Sequence, residues 1–276
     1  MKKVSLVLVL VFGLVLVYVL TDFPKWGDPS SPASSHLSPY YIEHSLEDTS
    51  VPNVVTALLA DYRGFDTMFE TAVVFTAAMA CFFLLRVLVC YRTRDERLYR
   101  HLESGVVLRI TGPKRLPPGS SFRRVESPRA RFDVVTSKVS RILVPFIQLF
   151  ALYVVAHGHH SPGGGFQGGV ILGAAYILYA IAHDLQTACD RYLERVMFTM
   201  LAGGVLLYAG TGAACMALGG NFLDYSVLAP VFQLSPVASR SFGILVVEIG
   251  VAMTVMSTMI LLYNFLVSMG RCEEGL

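Results

Sequence analysis

The strongest constraint on this chain is the length of its apolar runs. They extend for about 17 to 25 residues each and alternate with polar segments. A helix rises ~1.5 Å per residue, so such runs can cross ~30 Å of hydrocarbon. In lipid every backbone N–H and C=O must be satisfied within the structure, which leaves helices and closed barrels. The ten-residue alternation of barrel strands is absent. The runs cover Val4–Leu20, Thr67–Val89, Ile142–Val155, Gly168–Ala182, Val196–Leu218 and Phe242–Leu266. They predict an all-α, polytopic helical membrane protein with about six transmembrane helices. Charged residues make up only 15% of the chain, against roughly 25% in soluble domains. The third run can extend at both ends, and Pro145 inside it predicts a kink.

Lys2 and Lys3 followed by an apolar run have the shape of a signal peptide. The run exceeds a usual signal core and no clear small-residue cleavage site follows, so it reads as an uncleaved anchor helix. The Pro/Ser-rich segment 21–52 predicts an irregular exterior loop, with Trp26, Tyr40 and Tyr41 at the headgroup level. Residues 91–138, rich in Arg, Pro and Ser, form the clearest break in composition and predict a soluble connector. Segment 182–195 reads as a short charged turn, and 219–240 as a second exterior loop. With six spans and a cytoplasmic N-terminus, nineteen of the 22 Lys and Arg residues fall on the inside. Only Lys25, Arg63 and Arg240 fall outside, so positive-inside bias predicts an N-in, C-in chain. A net charge of +2 implies nothing about nucleic acid, and none is expected as a partner.

The five cysteines (Cys81, Cys90, Cys189, Cys215 and Cys272) form no CxxC pair and read as reduced residues rather than a disulfide or metal framework. There is no H-E-x-x-H, G-x-S-x-G or dinucleotide fingerprint, and no haem or iron–sulfur spacing. The chain thus predicts no catalytic set, no cofactor and no redox centre of its own.

Four segments carry possible function. Ser161-Pro-Gly-Gly-Gly-Phe-Gln-Gly-Gly169 is too glycine-dense to predict helix, since each interior Gly costs about 1 kcal/mol relative to Ala. Glycine loops can hold phosphate, but the Walker pattern and a nearby Lys are missing. Helix packing is the stronger reading: Gly169 and Gly173 have the GxxxG spacing, and Gly163, Gly164, Gly165 and Gly168 precede them. His157, His159 and His160 lie just upstream. Metal binding, proton handling and a solvated helix end are all open to them, although no nearby Cys or carboxylate completes a ligand set.

Acidic residues at membrane depth are the sharper signal, because intramembrane charges are expensive and mark ion paths. Glu248 sits well inside the last run, as an ion-path group or as a structural hydrogen-bond partner for a neighbouring protein of a complex. Glu70 closes Thr67-Met-Phe-Glu, a capping-box pattern that explains it equally well. Asp61, Arg63 and Asp66 read as an exterior salt-bridge cluster, or with Glu70 as an acidic entry to a cation path. Asp184, after His183, reads as a solvated group at the inner end of the fourth run.

Three segments resemble known families. His157-Gly-His-His-Ser-Pro-Gly-Gly-Gly-Phe-Gln-Gly-Gly-Val-Ile-Leu-Gly173 resembles the signature of the B-type (MrpB or MnhB) component of Mrp-type multisubunit sodium/proton antiporters. Val246 to Val255 resembles the last helix of that component. Upstream, Asn53 to Glu70 resembles the C-terminal part of the large A-type component, a piece that is a small separate E-type protein in membrane-bound hydrogenases. Asp61, Arg63, Asp66 and Glu70 match that pattern, while Phe69 stands where Gly is more usual. The resemblance implies a fusion: a two-helix segment over 1–90, an Arg-rich cytoplasmic connector over 91–131, and a four-helix membrane domain over 132–276. It implies a membrane subunit of a monovalent cation (Na+)/proton antiporter complex. Its partners would be large A- and D-type subunits, small C-, E-, F- and G-type subunits, the bilayer, Na+ and H+. The alternative it implies is the same membrane module inside a hydrogenase-type redox complex. Asp61, Asp66, Glu70, His157, His159, His160 and Glu248 are the ion-pathway candidates. The chain lacks the internal repeats of a free-standing carrier, which points to an accessory role.

Overall fold

At the centre of the fold is one long helix that touches nearly everything else. The computed structural model describes residues 2–87, 96–101, 104, 106–111, 121–124, 134–183 and 185–268. In chain order the helices of eight or more residues, with one shorter helix, are α1 (Lys2–Leu20), α2 (Ser38–Thr49), α3 (Gly64–Cys81), α4 (Val134–Ala156), α5 (Gly165–His183), α6 (Leu185–Arg191), α7 (Glu194–Ala217) and α8 (Pro236–Ser268). Helix α8 has 33 residues, about 50 Å of rise, so it outreaches the hydrocarbon layer. Helices α7, α5 and α3 pack around it, and α4 lies outside α5.

Small residues make these contacts close. A Cβ added to Gly250 on α8 would come 2.8 Å from the Gly204 carbonyl oxygen on α7, and one on Gly204 would overlap the Gly250 carbonyl in return. Association without water to squeeze out depends on this kind of close backbone approach. Two apolar clusters fill the bundle. One surrounds Tyr208, Ile244 and Val251; the other surrounds Tyr176, Leu201 and Phe265.

The chain is a polytopic membrane protein whose membrane part is all-α. Among the described residues five helices are long and apolar enough to cross a membrane: α3 with its continuation to Leu85, α4, α5, α7 and α8. The first run, expected as a sixth span, is helical, but its apolar stretch Leu6–Leu20 is shorter than the other five. The segments expected on the outer side do share one end of the bundle: 53–62, 157–164 and 225–240 meet there.

Several expectations need correction. Segment 21–52 is not wholly irregular, because Ser38–Thr49 is helical and ends at Ser50 in the left-handed conformation. Tyr41 packs on Tyr62 with ring centroids 4.9 Å apart, whereas Trp26 is fully exposed. The capping box does not form. Helix α3 begins a turn earlier, at Gly64, and the Thr67 hydroxyl donates to the Leu59 carbonyl at 2.8 Å. The glycine-dense stretch enters helix at Gly165, because contact with two neighbouring backbones offsets the intrinsic penalty. Helix α4 is longer than its apolar run and continues on both sides of Pro145. Helix α8 begins at Pro236, so Arg240 is helical rather than in a loop. Segment 182–195 contains α6. Part of the connector is a three-stranded antiparallel sheet, in the order β2-β1-β3, from β1 (Glu96–His101), β2 (Val107–Thr111) and β3 (Phe122–Arg124). Cys90, Cys272, Asp184 and much of the connector lie outside the described residues.

Candidate functional site

The site forms where the loop between α4 and α5 meets the segment that leads into α3. Asn53 caps the short helix Val54–Ala57 by accepting from the Val55 N–H. Its amide group donates to the carbonyls of Gly158 (2.8 Å) and Ser161 (2.9 Å), and its backbone N–H donates to that of His159 (3.0 Å). The Thr56 hydroxyl donates to the Gly158 carbonyl at 2.9 Å. Residues more than a hundred positions apart are thus joined by four hydrogen bonds at one end of the bundle.

Beneath this clasp is a cavity of about 260 Å³. Thr56, Leu59, Thr67 and Glu70 line one wall, Gly163 to Gln167 another, and Tyr208, Val247, Glu248 and Val251 the floor. Glu248 is 8% exposed, and its Oε2 is buried with no hydrogen-bond partner among the described residues. The glycines bring the loop down onto this carboxyl. Gly164 holds φ +128°, open to glycine and strained for other residues, and a Cβ there would sit 2.8 Å from Glu248 Oε1. A Cβ on Gly165 would overlap the Glu248 carbonyl oxygen. Glu70 reaches the same cavity from α3 and is exposed. The Tyr208 hydroxyl donates to the Gly64 carbonyl at 2.9 Å, anchoring the first turn of α3.

Of the expected site residues, Glu70 and Glu248 come together, and Gly163, Gly164 and Gly165 line their cavity. Gly168 abuts Val155 of α4, Gly169 abuts Ala252 and Val255 of α8, and Gly173 abuts Met259 of α8. The Asp61–Arg63–Asp66 cluster is corrected. Arg63 pairs with Asp66 at the surface, and Asp61 turns instead to Arg240. None of the three histidines lines the cavity. His157 stacks on Tyr153 (centroids 4.8 Å apart), and its ring centroid is 5.4 Å from that of His160. His159 is half-buried, its Nε2 has no hydrogen-bond partner among the described residues, and burial, then the neighbouring His160, hold its imidazole below the ordinary 6.5. Among the described residues no group of three or more His, Cys, Asp or Glu is arranged to hold a metal ion.

Sequence reasoning passed over Arg240, Asn53 and Tyr208 as site residues. The tyrosine carried a usable signal, since a buried tyrosine hydroxyl finds a partner.

Residues 135–261 match the family described as a domain related to the MnhB subunit of the Na+/H+ antiporter, and residues 25–99 match MbhE, the E-type subunit of MBH. The chain is 32% identical over 133 residues to the B-type subunit of the Na+/H+ antiporter of Bacillus subtilis, covering 46% of this chain and 92% of that one. It belongs to the MnhB family of antiporter subunits. A probable K+/H+ antiporter protein of combined A/B type from Rhizobium meliloti is 26% identical over 218 residues, 75% of this chain and 20% of that much longer one. Among solved structures, one chain of the membrane-bound sulfane sulfur reductase, an archaeal respiratory membrane complex, aligns with a TM-score of 0.53 and 25% identity, covering 94% of this chain and 97% of that chain. An MnhB segment preceded by an MbhE segment is therefore the makeup of this member of the family.

Proposed function

We propose that this chain is a membrane subunit of a multisubunit monovalent cation/proton antiporter, and that the cavity bearing Glu248 and Glu70 lies on an ion path through it. The observation that carries the reading is a carboxyl group 8% exposed, with one unpartnered oxygen, on a cavity that a second carboxylate also reaches. An ionisable group at such depth is expensive and is kept where ions move or where a partner completes it. Among the described residues no Lys or Arg lines the cavity, so no fixed positive charge from them competes there with a mobile cation. The division at residues 90 and 131 belongs to the same reading: the MnhB match begins at residue 135, just after the connector, while the MbhE match runs to residue 99, into the connector's first residues. The partners are the other subunits of the complex.

The test is cation/proton exchange in vesicles carrying the assembled complex. Glu248→Gln is expected to cut exchange at least ~10-fold while the subunits still co-purify, as loss of a positioned charge at a buried site does. Normal exchange in both Glu248→Gln and Glu70→Gln would leave the cavity a structural role only. The likeness to a sulfane sulfur reductase chain favours one second reading, the same membrane module coupled to a redox enzyme. Purifying the tagged chain with its partners and assaying iron and nickel separates the two. Antiporter-type subunits without metal support the first reading, and iron–sulfur or nickel–iron subunits support the second.

A further inference from the structure

The most specific polar contact across the bundle is not in the cavity but about two helical turns along α8 from it. Arg240 Nε donates to Asp61 Oδ2 and its Nη2 donates to Asp61 Oδ1, both at 2.8 Å. This two-pronged geometry is the most directional ion pair available to a protein. Asp61 is 8% exposed at its side chain and Arg240 26%, so the pair is largely withdrawn from solvent. The guanidinium also lies 5.8 Å from the centroid of the Tyr62 ring, and the Tyr62 hydroxyl donates to Asp48 Oδ2 at 2.6 Å.

The two ends of the pair belong to the elements that form one wall and the floor of the cavity. Asp61 is in the turn Leu58–Tyr62, where Leu59 and Ala60 line the cavity. The Leu59 carbonyl accepts from Thr67, and the Ala60 carbonyl accepts from Tyr225. Thr67 is one turn before Glu70 on α3. Arg240 is eight residues before Glu248 on α8, about 12 Å of rise and about 80° round the helix. The pair therefore ties the carrier of Glu70 to the carrier of Glu248.

We infer that Asp61 and Arg240 are positioning residues: their ion pair sets the separation between the cavity wall that bears Glu70 and the floor that bears Glu248, and Asp61 is not itself a stop on the ion path. The effect on exchange rests on the antiporter reading, but the geometric claim does not. Placement of this kind matters because a shift of ~1 Å at a site can cost ~100-fold in rate.

The test is a double-mutant cycle in the full complex with two readouts. One is the distance between spin labels at Leu59 and Ile249, measured by pulsed electron resonance, and the other is exchange in vesicles. Asp61→Asn and Arg240→Gln are each expected to lengthen or broaden that distance and to lower exchange by similar factors, about 10-fold. The double variant is expected to be no worse than the poorer single variant, because the two residues act as one unit. Arg240→Lys keeps the charge but loses the fork, so it should fall between wild type and Arg240→Gln. If Asp61→Asn fails to assemble, that lysine–glutamine comparison carries the test. Unchanged distances in all variants would overturn the inference. So would loss of exchange in Asp61→Asn at native distance beside normal exchange in Arg240→Gln, which would put Asp61 on the ion path. If the wild-type complex shows no exchange, the antiporter reading fails while the distance measurement still decides the positioning role.

Discussion

Gly165→Ala probes the contact on which the whole site depends. The added methyl would overlap the Glu248 carbonyl oxygen and would lie 2.8 Å from its carbonyl carbon and 3.0 Å from its Cα. Carbon atoms settle at ~3.5–4.0 Å, so α5 and α8 must part by about 1 Å. All three atoms are backbone, so no side chain can rotate away and the helices themselves must move. Overpacking of this kind costs about 1–3 kcal/mol. The benefit of Gly→Ala in a helix interior, about 1 kcal/mol, offsets little of this, because Gly165 is the first residue of α5. Gly210→Ala on α7 is the matched control, because a Cβ there meets nothing within 4 Å. At roughly 2–4 °C per kcal/mol for a chain of this size, the complex carrying Gly165→Ala should melt several degrees below wild type. The Gly210→Ala complex should melt at or slightly above it. Thermal melting in detergent, followed by intrinsic fluorescence, is the assay. A Gly165→Ala complex that melts at or above the wild-type temperature would refute the α5–α8 contact and with it the account of the cavity.

Three further outcomes are expected. Tyr208→Phe leaves the Gly64 carbonyl without its 2.9 Å donor and should cost about 1–3 kcal/mol, read as a lower melting temperature; an unchanged temperature contradicts the bond. Asn53→Ala removes the side-chain donors to Gly158 and Ser161, so amides in 157–164 should exchange hydrogen faster, by roughly 30-fold when each of the two lost bonds is worth about 1 kcal/mol. Protection equal to wild type would show that the clasp does not hold the loop. The third outcome concerns pH. Burial keeps folded His159 neutral below the 6.5 at which the unfolded residue gains a proton. Stability from this residue is therefore complete above pH 6.5 and declines as pH falls from there towards the lower folded value. His159→Gln should flatten that decline in melting temperature between pH 7 and 5, and an identical slope would assign it to other groups.

The spans were legible because a run of ~20 apolar residues has few physical outcomes in lipid. Glu248 was legible for a related reason, since a carboxylate inside such a run must be paired, neutralised or functional. The helix starts were harder. Thr67-x-x-Glu70 has capping-box spacing, yet the preceding turn offered Thr67 the Leu59 carbonyl and the helix began at Gly64 instead. The glycines of 165–169 were misjudged because propensity counts only the isolated helix, whereas their missing side chains admit Val155 on one side and the α8 backbone on the other.

Asp61 shows where local reading stops. Its near neighbours Arg63 and Asp66 suggested a surface cluster, and Arg63 with Asp66 does form one. The partner of Asp61 stands 179 residues downstream, beyond the reach of any spacing rule. Arg240 looked like an ordinary flanking charge because its helix was expected to start six residues later, at Phe242 rather than Pro236. A boundary error of that size is harmless to a list of spans but decisive for a side chain: in a loop Arg240 faces water, whereas one turn inside α8 it is aimed at Asp61. The acidic residues of the two segments thus divide by what opposes them. Asp61 meets a guanidinium and closes the bundle, while Glu70 and Glu248 meet an open cavity that no Lys or Arg among the described residues lines.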